Sequence, residues 1–377
     1  HRVILIRWHK IAYIFPVLAA AGMLVCLEGY TNWWGYALAA AGSVLILWLS
    51  MRGVTRTKEY LSGYALRAVH HNPWTEQVIT TETYTDSKGR TQTRTRVSYV
   101  HHPDVWFFPL NTGHSVYINE STYDHYAMIW GTPMEYINPP HANCVSGGGG
   151  QQYEWDGVYE NLATATYKGR YINYVKHSDS IFRHEKVTDK VAEEYGLVEY
   201  PDFRRKFLET DTILVSPKLE ITLPEGIEEH FWRLNAYFGQ SKQIHIFIIL
   251  FDAAKGIGTA LKQRSHWNGG NKNEFTVCLG IENGTSVKWC KAFSWCDAPA
   301  LESATESWFI ENPTLDLEAY ATWIHENIHL WKRKEFKDFK YLGVNLSPTA
   351  KWIVAILTIT LCAAIVLISY AVYIGKI

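Results

Sequence analysis

Hydrophobic and polar positions repeat along this chain at three different periods. Two nearly unbroken apolar runs come first, Ile11 to Leu27 and Trp33 to Met51, separated only by Glu28-Gly-Tyr-Thr-Asn32; a third, Trp352 to Ile374, is uncharged over 23 residues. The third suits a hydrocarbon core and the first two are near the lower limit of length, so the pattern predicts a C-terminal transmembrane helix and an N-terminal transmembrane helical hairpin, with shallow insertion of that pair as the alternative. Between them the period falls to two. Thr75 to Thr85 and Arg90 to Val100 flank Asp86-Ser-Lys-Gly89 and predict a β-hairpin. Gln243 to Phe251 is continuously apolar, β-branched and aromatic, as in a strand buried on both faces. Phe275 to Ile281 and Ser286 to Trp295, joined through Asn283-Gly284, predict a second hairpin. Ile227, Phe231, Leu234 and Phe238 recur at helical spacing, in a helix expected to start at Pro224 and stop at Gly239. Further helices are expected over Thr188 to Tyr195, Ala253 to Arg264, Asp297 to Asn312 and Leu315 to Glu335. Residues 107 to 160, with Pro139-Pro140 and Gly147 to Gly150, read as a linker or flexible loop.

The fold class that follows is α+β, with three transmembrane helices around a β-rich region and a small α/β domain. The expected divisions are a basic N-terminus at 1–10, the helical hairpin at 11–51, a Thr-rich β region with a Gly-rich linker at 52–150, the α/β domain at 151–340, and the last span at 352–374. A signal peptide is the competing reading of the first run, but a second apolar run follows at once with no small-residue cleavage site before Glu28. Arg2, Arg7 and Lys10 precede the first span, Arg52, Arg56 and Lys58 follow the second, and Lys332, Arg333, Lys334, Lys337, Lys340 and Lys351 precede the third. Basic loops stay inside, so the expectation is an integral membrane protein of a bacterial-type inner membrane with residues 52 to 351 in the cytoplasm.

Composition sharpens this in three ways. A formal net charge of -1 supplies no field to gather nucleic acid. Charged residues at 19%, with 16 Trp and 23 Tyr, fit a chain that lies partly in and beside a bilayer. The six Cys lack disulfide-framework or paired metal spacing, and reduced thiols are expected.

The break His266-Trp-Asn-Gly-Gly-Asn-Lys-Asn-Glu274, set between a strand with its helix and two strands ending at Trp295, resembles the TPM-type α/β domain, as in membrane-anchored bacterial and phage proteins. Tyr171 to Phe182 and Tyr195 to Pro201 are similar to segments of those proteins, so the resemblance covers roughly 160 to 340. It implies the fold. TPM domains that bind divalent metal or hydrolyse phosphate esters do so through clustered carboxylates, whereas Gln243 to Trp295 offers only Asp252, Glu274 and Glu282. The activity is therefore not carried over.

Two constellations have metal-ligand character. His325-Glu-Asn-Ile-His329 matches the zincin pattern: on a helix the two His would share one face and bind zinc, with Glu326 as the general base. Only Glu335 and Asp338 follow as carboxylates, and the stripe Leu317, Tyr320, Ile324, Ile328 and Trp331 gives the helix a purely structural reason. The second is the pair of dipeptides His70-His71 and His101-His102, which the hairpin would bring to one sheet edge. Gly147 to Gly150 lacks the Lys-Ser or Lys-Thr of a phosphate loop, and Lys255-Gly-Ile-Gly258 lacks the third glycine of a nucleotide fingerprint. The favoured expectation is a membrane-anchored cytoplasmic binding or scaffolding protein, partnered by the lipid bilayer and by a protein or a second copy, and not by nucleic acid. The competitor is a membrane-proximal zinc-dependent hydrolase.

Overall fold

The computed structural model describes residues 18, 20–22, 33–54, 56–85, 87–139, 141–172, 186–201, 211–296, 298–334, 346 and 348–375. They form two compact units, one of Tyr60–Gly169 with Lys186–Arg333, the other of the terminal segments with Arg170–Glu185.

Helix α1, Trp33–Val54, is followed by a run of strands: β1 Arg56–Tyr64, β2 Arg67–His71, β3 Trp74–Thr85, β4 Thr91–His102, β5 Val105–Pro109 and β6 Ser115–Ile118. Helix α2, Glu120–Trp130, then precedes β7 Glu135–Ile137, β8 Cys144–Gly147, β9 Gly150–Glu154 and β10 Thr164–Ile172. The predicted hairpin is present as β3–β4, in register from Trp74 opposite His102 to Thr85 opposite Thr91.

Residues 107–160, expected as a linker or loop, are instead built into sheet. β9 is an interior strand of the order β6-β5-β2-β9-β7, so the β region carries on past the expected boundary at 150. Helix α2 was hidden among turn-forming residues. Asn119 caps it by accepting from the Thr122 amide, and Tyr123 and Trp130, a helical repeat apart, are its buried positions. The four glycines act by close approach: a side chain on Gly147 would overlap the Pro73 carbonyl, and one on Gly150 the His70 carbonyl.

Helix α3, Asp189–Tyr195, leads into the second half, with β11 Ile213–Val215, α4 Ile227–Ser241, β12 His245–Asp252, α5 Gly258–His266, β13 Glu274–Glu282, β14 Ser286–Ser294, α6 Pro299–Glu311 and α7 Leu317–Asn327. The sheet order is β11-β12-β13-β14, with β12 parallel to both neighbours and the β13–β14 hairpin turning through Asn283 and Gly284 at φ 55° and 75°. Strand β12 sorts its side chains by the period of two. Ile246, Ile248 and Leu250 join Phe231, Leu234, Leu301, Phe309, Tyr320 and Ile324 from α4, α6 and α7 on one face. Phe247, Ile249 and Phe251 join Tyr60, Leu197, Ala260 and Trp267 on the other. Each of these buried side chains contributes roughly 1.5–3 kcal/mol, which makes β12 the strand around which both layers are assembled.

Helix α4 differs from expectation at both ends. Gly226, at φ 77°, sets its start three residues after Pro224, and the helix runs through Gly239 to Ser241. Gly239 is there for contact rather than termination: any side chain on it would overlap the Ser62 backbone of β1. Asn235, buried in the same helix, donates to the Ile246 carbonyl at 3.1 Å and accepts from the Ile246 amide at 2.7 Å. It thus supplies strand-like hydrogen bonds where β11 is too short to reach.

In the other unit, α1 packs against the last helix, α8 Pro348–Tyr373. Ala39 and Cys362 are buried there, and Gly42 leaves room for the Leu361 side chain, the small-residue packing by which apolar helices approach. Trp33–Gly53 and Thr349–Tyr373 are long and apolar enough to cross a membrane, and only 17% of each apolar window is buried, unlike the core helix of a globular domain. Of the first apolar run, Ile11 to Leu27, only Leu18 and residues 20–22 are described, and these are helical. The turn Glu28 to Asn32, the segment Asn173 to Phe182 and the basic residues Lys337 and Lys340 lie outside the described residues.

Candidate functional site

The break from Trp267 to Glu274 closes into a buried polar cluster. Asn268, Gly269 and Gly270 take left-handed φ values of 51°, 82° and 76°, which folds Asn271 back over Glu274 at the start of β13. Glu274 is only 1% exposed. Its carboxylate accepts from the Asn271 amide and from Asn271 Nδ2, both at 2.7 Å, and from the Tyr200 hydroxyl. Burial, then the adjacent Glu274 charge, pushes the Tyr200 hydroxyl well above the usual phenol range, so it stays a donor.

The neighbouring residues tie this turn to the β region. Asn273 Nδ2 donates to the Tyr60 carbonyl at 2.6 Å, and the Tyr60 hydroxyl donates to the Pro201 carbonyl. Trp267 Nε1 donates to the Val198 carbonyl at 2.8 Å. His245, opposite Glu274 in the β12–β13 register, is also 1% exposed and stacks on Tyr60 with ring centroids 5.4 Å apart. Its Nδ1 lies 3.5 Å from Ser62 Oγ, and among the described residues Nε2 has no partner. Burial lowers its pKa to about 3, which keeps the imidazole neutral. A carboxylate, a phenol, two carboxamides and a neutral imidazole thus meet away from solvent. Apart from His245 Nε2 and Asn273 Oδ1, which have no partner among the described residues, these groups bond to one another or to the backbone, and the arrangement locks β1 and the segment around Tyr200 onto the sheet.

The zincin-pattern residues are placed differently from a straight helical pair. Helix α7 ends at Asn327, and Ile328–Leu330 continue as a single 3₁₀ turn. His325 and His329 therefore do not lie four apart on one continuous α-helix, as zinc binding requires. His325 is enclosed by Tyr159, Tyr237 and Phe238, with ring centroids 5.1, 5.9 and 5.2 Å away. His329 is exposed and its Nδ1 sits 3.3 Å from the carbonyl of Glu326. The structural stripe is present in full: Leu317, Tyr320, Ile324, Ile328 and Trp331 are all buried. Glu335 and Asp338 lie outside the described residues.

The four hairpin histidines are divided between two sheets, which corrects the expectation of one shared edge. His70 and His71 belong to β2, opposite Trp106 and Val105, because the chain turns at Asn72-Pro73 and begins a new strand. His101 and His102 end β4, opposite Thr75 and Trp74. Each finds its own partner. His70 Nε2 is 2.9 Å from Asp104 and His102 Nε2 is 3.1 Å from Glu76, while His101 Nδ1 is 2.8 Å from the Thr75 hydroxyl. His71 stacks on Phe107, and burial followed by the neighbouring His70 lowers its pKa. Among the described residues no three His, Cys, Asp or Glu side chains converge to hold a metal.

The zinc alternative therefore has a direct check. His325→Phe is expected to leave stability within about 1 kcal/mol, since an aromatic ring replaces a ring packed among aromatics, and to leave metal content unchanged. Elemental analysis of purified protein finding one zinc per chain, lost on that substitution, would establish a metal centre in its place.

Two further features are open to solvent. A cleft of about 280 Å³ is lined by residues that include His125, Tyr126, Glu160, Glu229, Trp232 and Arg233, and its guanidinium is already paired, Arg233 to Glu229 at 2.8 Å. The second is the β3–β4 ribbon. β8 pairs with β3 at Trp74 to Glu76 and the Gln77 amide donates to the Asn143 carbonyl, but beyond that base no further strand joins the two among the described residues. Ile79, Val97 and Tyr99 are 61%, 46% and 60% exposed on it. Sequence reasoning found the hairpin from its alternation, but not Tyr60, Ser62, Asn235 or His245. Their partners lie as far as 213 residues away, and nothing local marks them. Comparison of the chain with protein-family models, with curated proteins and with solved structures yields no match.

Proposed function

We propose that this chain is a membrane-anchored binding or scaffolding protein. In this reading a helical hairpin, Ile11 to Leu27 with Trp33 to Met51, and the C-terminal helix hold a TPM-like α/β domain and its β region at the cytoplasmic face. The observation that supports it most is the contrast between interior and surface. Among the chemically distinctive side chains, Glu274 and His245 are buried and Tyr200 is partly buried, and all three are engaged in holding the fold, whereas the β3–β4 ribbon exposes apolar side chains and, among the described residues, an outer edge of β4 with no neighbouring strand. Large exposed apolar residues gathered on one projecting element mark an interaction surface rather than a reaction centre. The small-residue contact between α1 and α8 supports the anchor, because helices that meet through Gly42 and Ala39 do not need a hydrophobic effect to associate.

The anchor is tested by fractionation. The chain is expected to stay in the membrane pellet through alkaline carbonate, and protease added to inside-out vesicles is expected to digest residues 60–333 while protease added outside intact cells spares them. Release by carbonate, or digestion from outside, would overturn the anchor or its orientation respectively.

A further inference from the structure

We propose that β4 is a docking edge for an extended acidic segment of a partner protein, which adds to it as a new strand; this rests on the binding reading above and names the partner's chemistry. In the order β4-β3-β8, strand β4 is outermost, and among the described residues no strand pairs with its outer side along the 12 residues Thr91–His102. A row of unpaired backbone donors and acceptors is a template for strand addition. A two-stranded ribbon is also only marginally stable by itself, so a third strand stabilises the element that binds it.

Charge identifies the occupant. From Ser87 to His102 the sequence has Lys88, Arg90, Arg94 and Arg96 and no acidic residue. The acids of the ribbon, Glu76 and Glu82, are on β3. Arg94 and Arg96 make no hydrogen bond or ion pair among the described residues, although Glu82 stands opposite Arg94. With a period of two, Gln92, Arg94, Arg96 and Ser98 share one face, while Thr91, Thr93, Thr95, Val97 and Tyr99 share the other, which is uncharged. An added strand continues both faces. It therefore carries Asp or Glu at every second position, beside the arginines, and Thr or aliphatic residues between them. A second copy of β4 does not meet this demand, because antiparallel self-pairing sets arginines beside arginines, and like charges across a pair are destabilising.

The experiment uses the full chain in detergent micelles and fluorescence anisotropy with four probes. These are a 12-residue peptide alternating Glu with Val and Thr, its Lys counterpart, and the Glu peptide N-methylated at alternate residues in either of the two phases. The expected result is that the Glu peptide binds, that one N-methylated phase abolishes binding, and that the double substitution Arg94→Glu with Arg96→Glu weakens it about tenfold or more while admitting the Lys peptide. Equal binding of Glu and Lys peptides, binding that survives both N-methylations, or no peptide binding at all overturns the proposal. The last outcome together with co-sedimentation on phosphatidylserine vesicles assigns the basic strand to lipid instead. Both substituted sites are exposed, so the fold and carbonate resistance are expected to persist. Failure of peptide binding with the chain still resistant to carbonate defeats the docking edge alone, whereas loss of carbonate resistance defeats the anchor.

Discussion

Glu274→Ala is expected to destabilise the unit of Tyr60–Gly169 and Lys186–Arg333 by about 3–5 kcal/mol, a large part of what holds a domain of ordinary stability together. The substitution removes one buried acceptor group and leaves two donors, the Asn271 amide and the Tyr200 hydroxyl, facing the space it vacates, while Asn271 Nδ2 keeps its bond to the Tyr200 oxygen. A buried donor without a partner costs about 1–3 kcal/mol, and this penalty, not the loss of the bonds themselves, dominates. Gly270, whose left-handed turn is folded around the carboxylate, loses the group that holds it in place. Urea unfolding followed by tryptophan fluorescence measures the effect, because Trp267 lies on Tyr200 with ring centroids 5.1 Å apart. A shift of less than about 1 kcal/mol would show that the cluster is dispensable, and would reopen a functional role for the carboxylate.

The second expectation concerns acid. His245 is buried neutral with its pKa lowered to about 3, against an unfolded value near 6.5. Below 6.5 the unfolded chain takes up a proton at this position that the folded chain refuses, so stability is complete above about pH 7 and falls as pH drops toward 3. By pH 4 the loss is on the order of 3 kcal/mol. His71, lowered by partial burial and by His70, adds a smaller contribution of the same sign. Substituting His245→Leu is expected to flatten the slope of stability against pH between 6 and 4 by close to one proton. An unchanged slope would mean that His245 gains solvent or a partner on protonation.

How much of this was legible beforehand depends on the range of the interactions. Strand β12, the Asn283-Gly284 hairpin, the β3–β4 hairpin and the α7 stripe are written in local periodicity, and each lies where its pattern places it. The glycines misled for a physical reason. Gly239 and Gly147 are required because another backbone approaches them, at Ser62 and Pro73, and composition alone cannot distinguish that need from flexibility. The same holds for Asn119 and the turn-forming residues around α2, which suggest a loop although the helix cap and two buried aromatics define a helix. The zincin pattern spans a change of backbone, from α7 to a 3₁₀ turn after Asn327, which the spacing of the two His does not reveal. Of the buried cluster, the Trp267 to Glu274 break was conspicuous in sequence, but its partners Tyr60, Ser62 and Tyr200 came from segments that local reading treats as unrelated.

The bond from Asn273 to the Tyr60 carbonyl spans 213 positions and has a consequence for biosynthesis. A nascent chain emerges N-terminus first, so β1 is made long before the residues that will cover it. Ser62 meets Thr166 first, and Tyr60 then meets Tyr200 and Pro201, but the stacking of Tyr60 on His245 and its bond from Asn273 wait until β12 and the turn at Asn271 have left the ribosome. Closure of this unit is therefore a late step, and a chain interrupted before Asn273 would present an unsealed strand for a chaperone to hold.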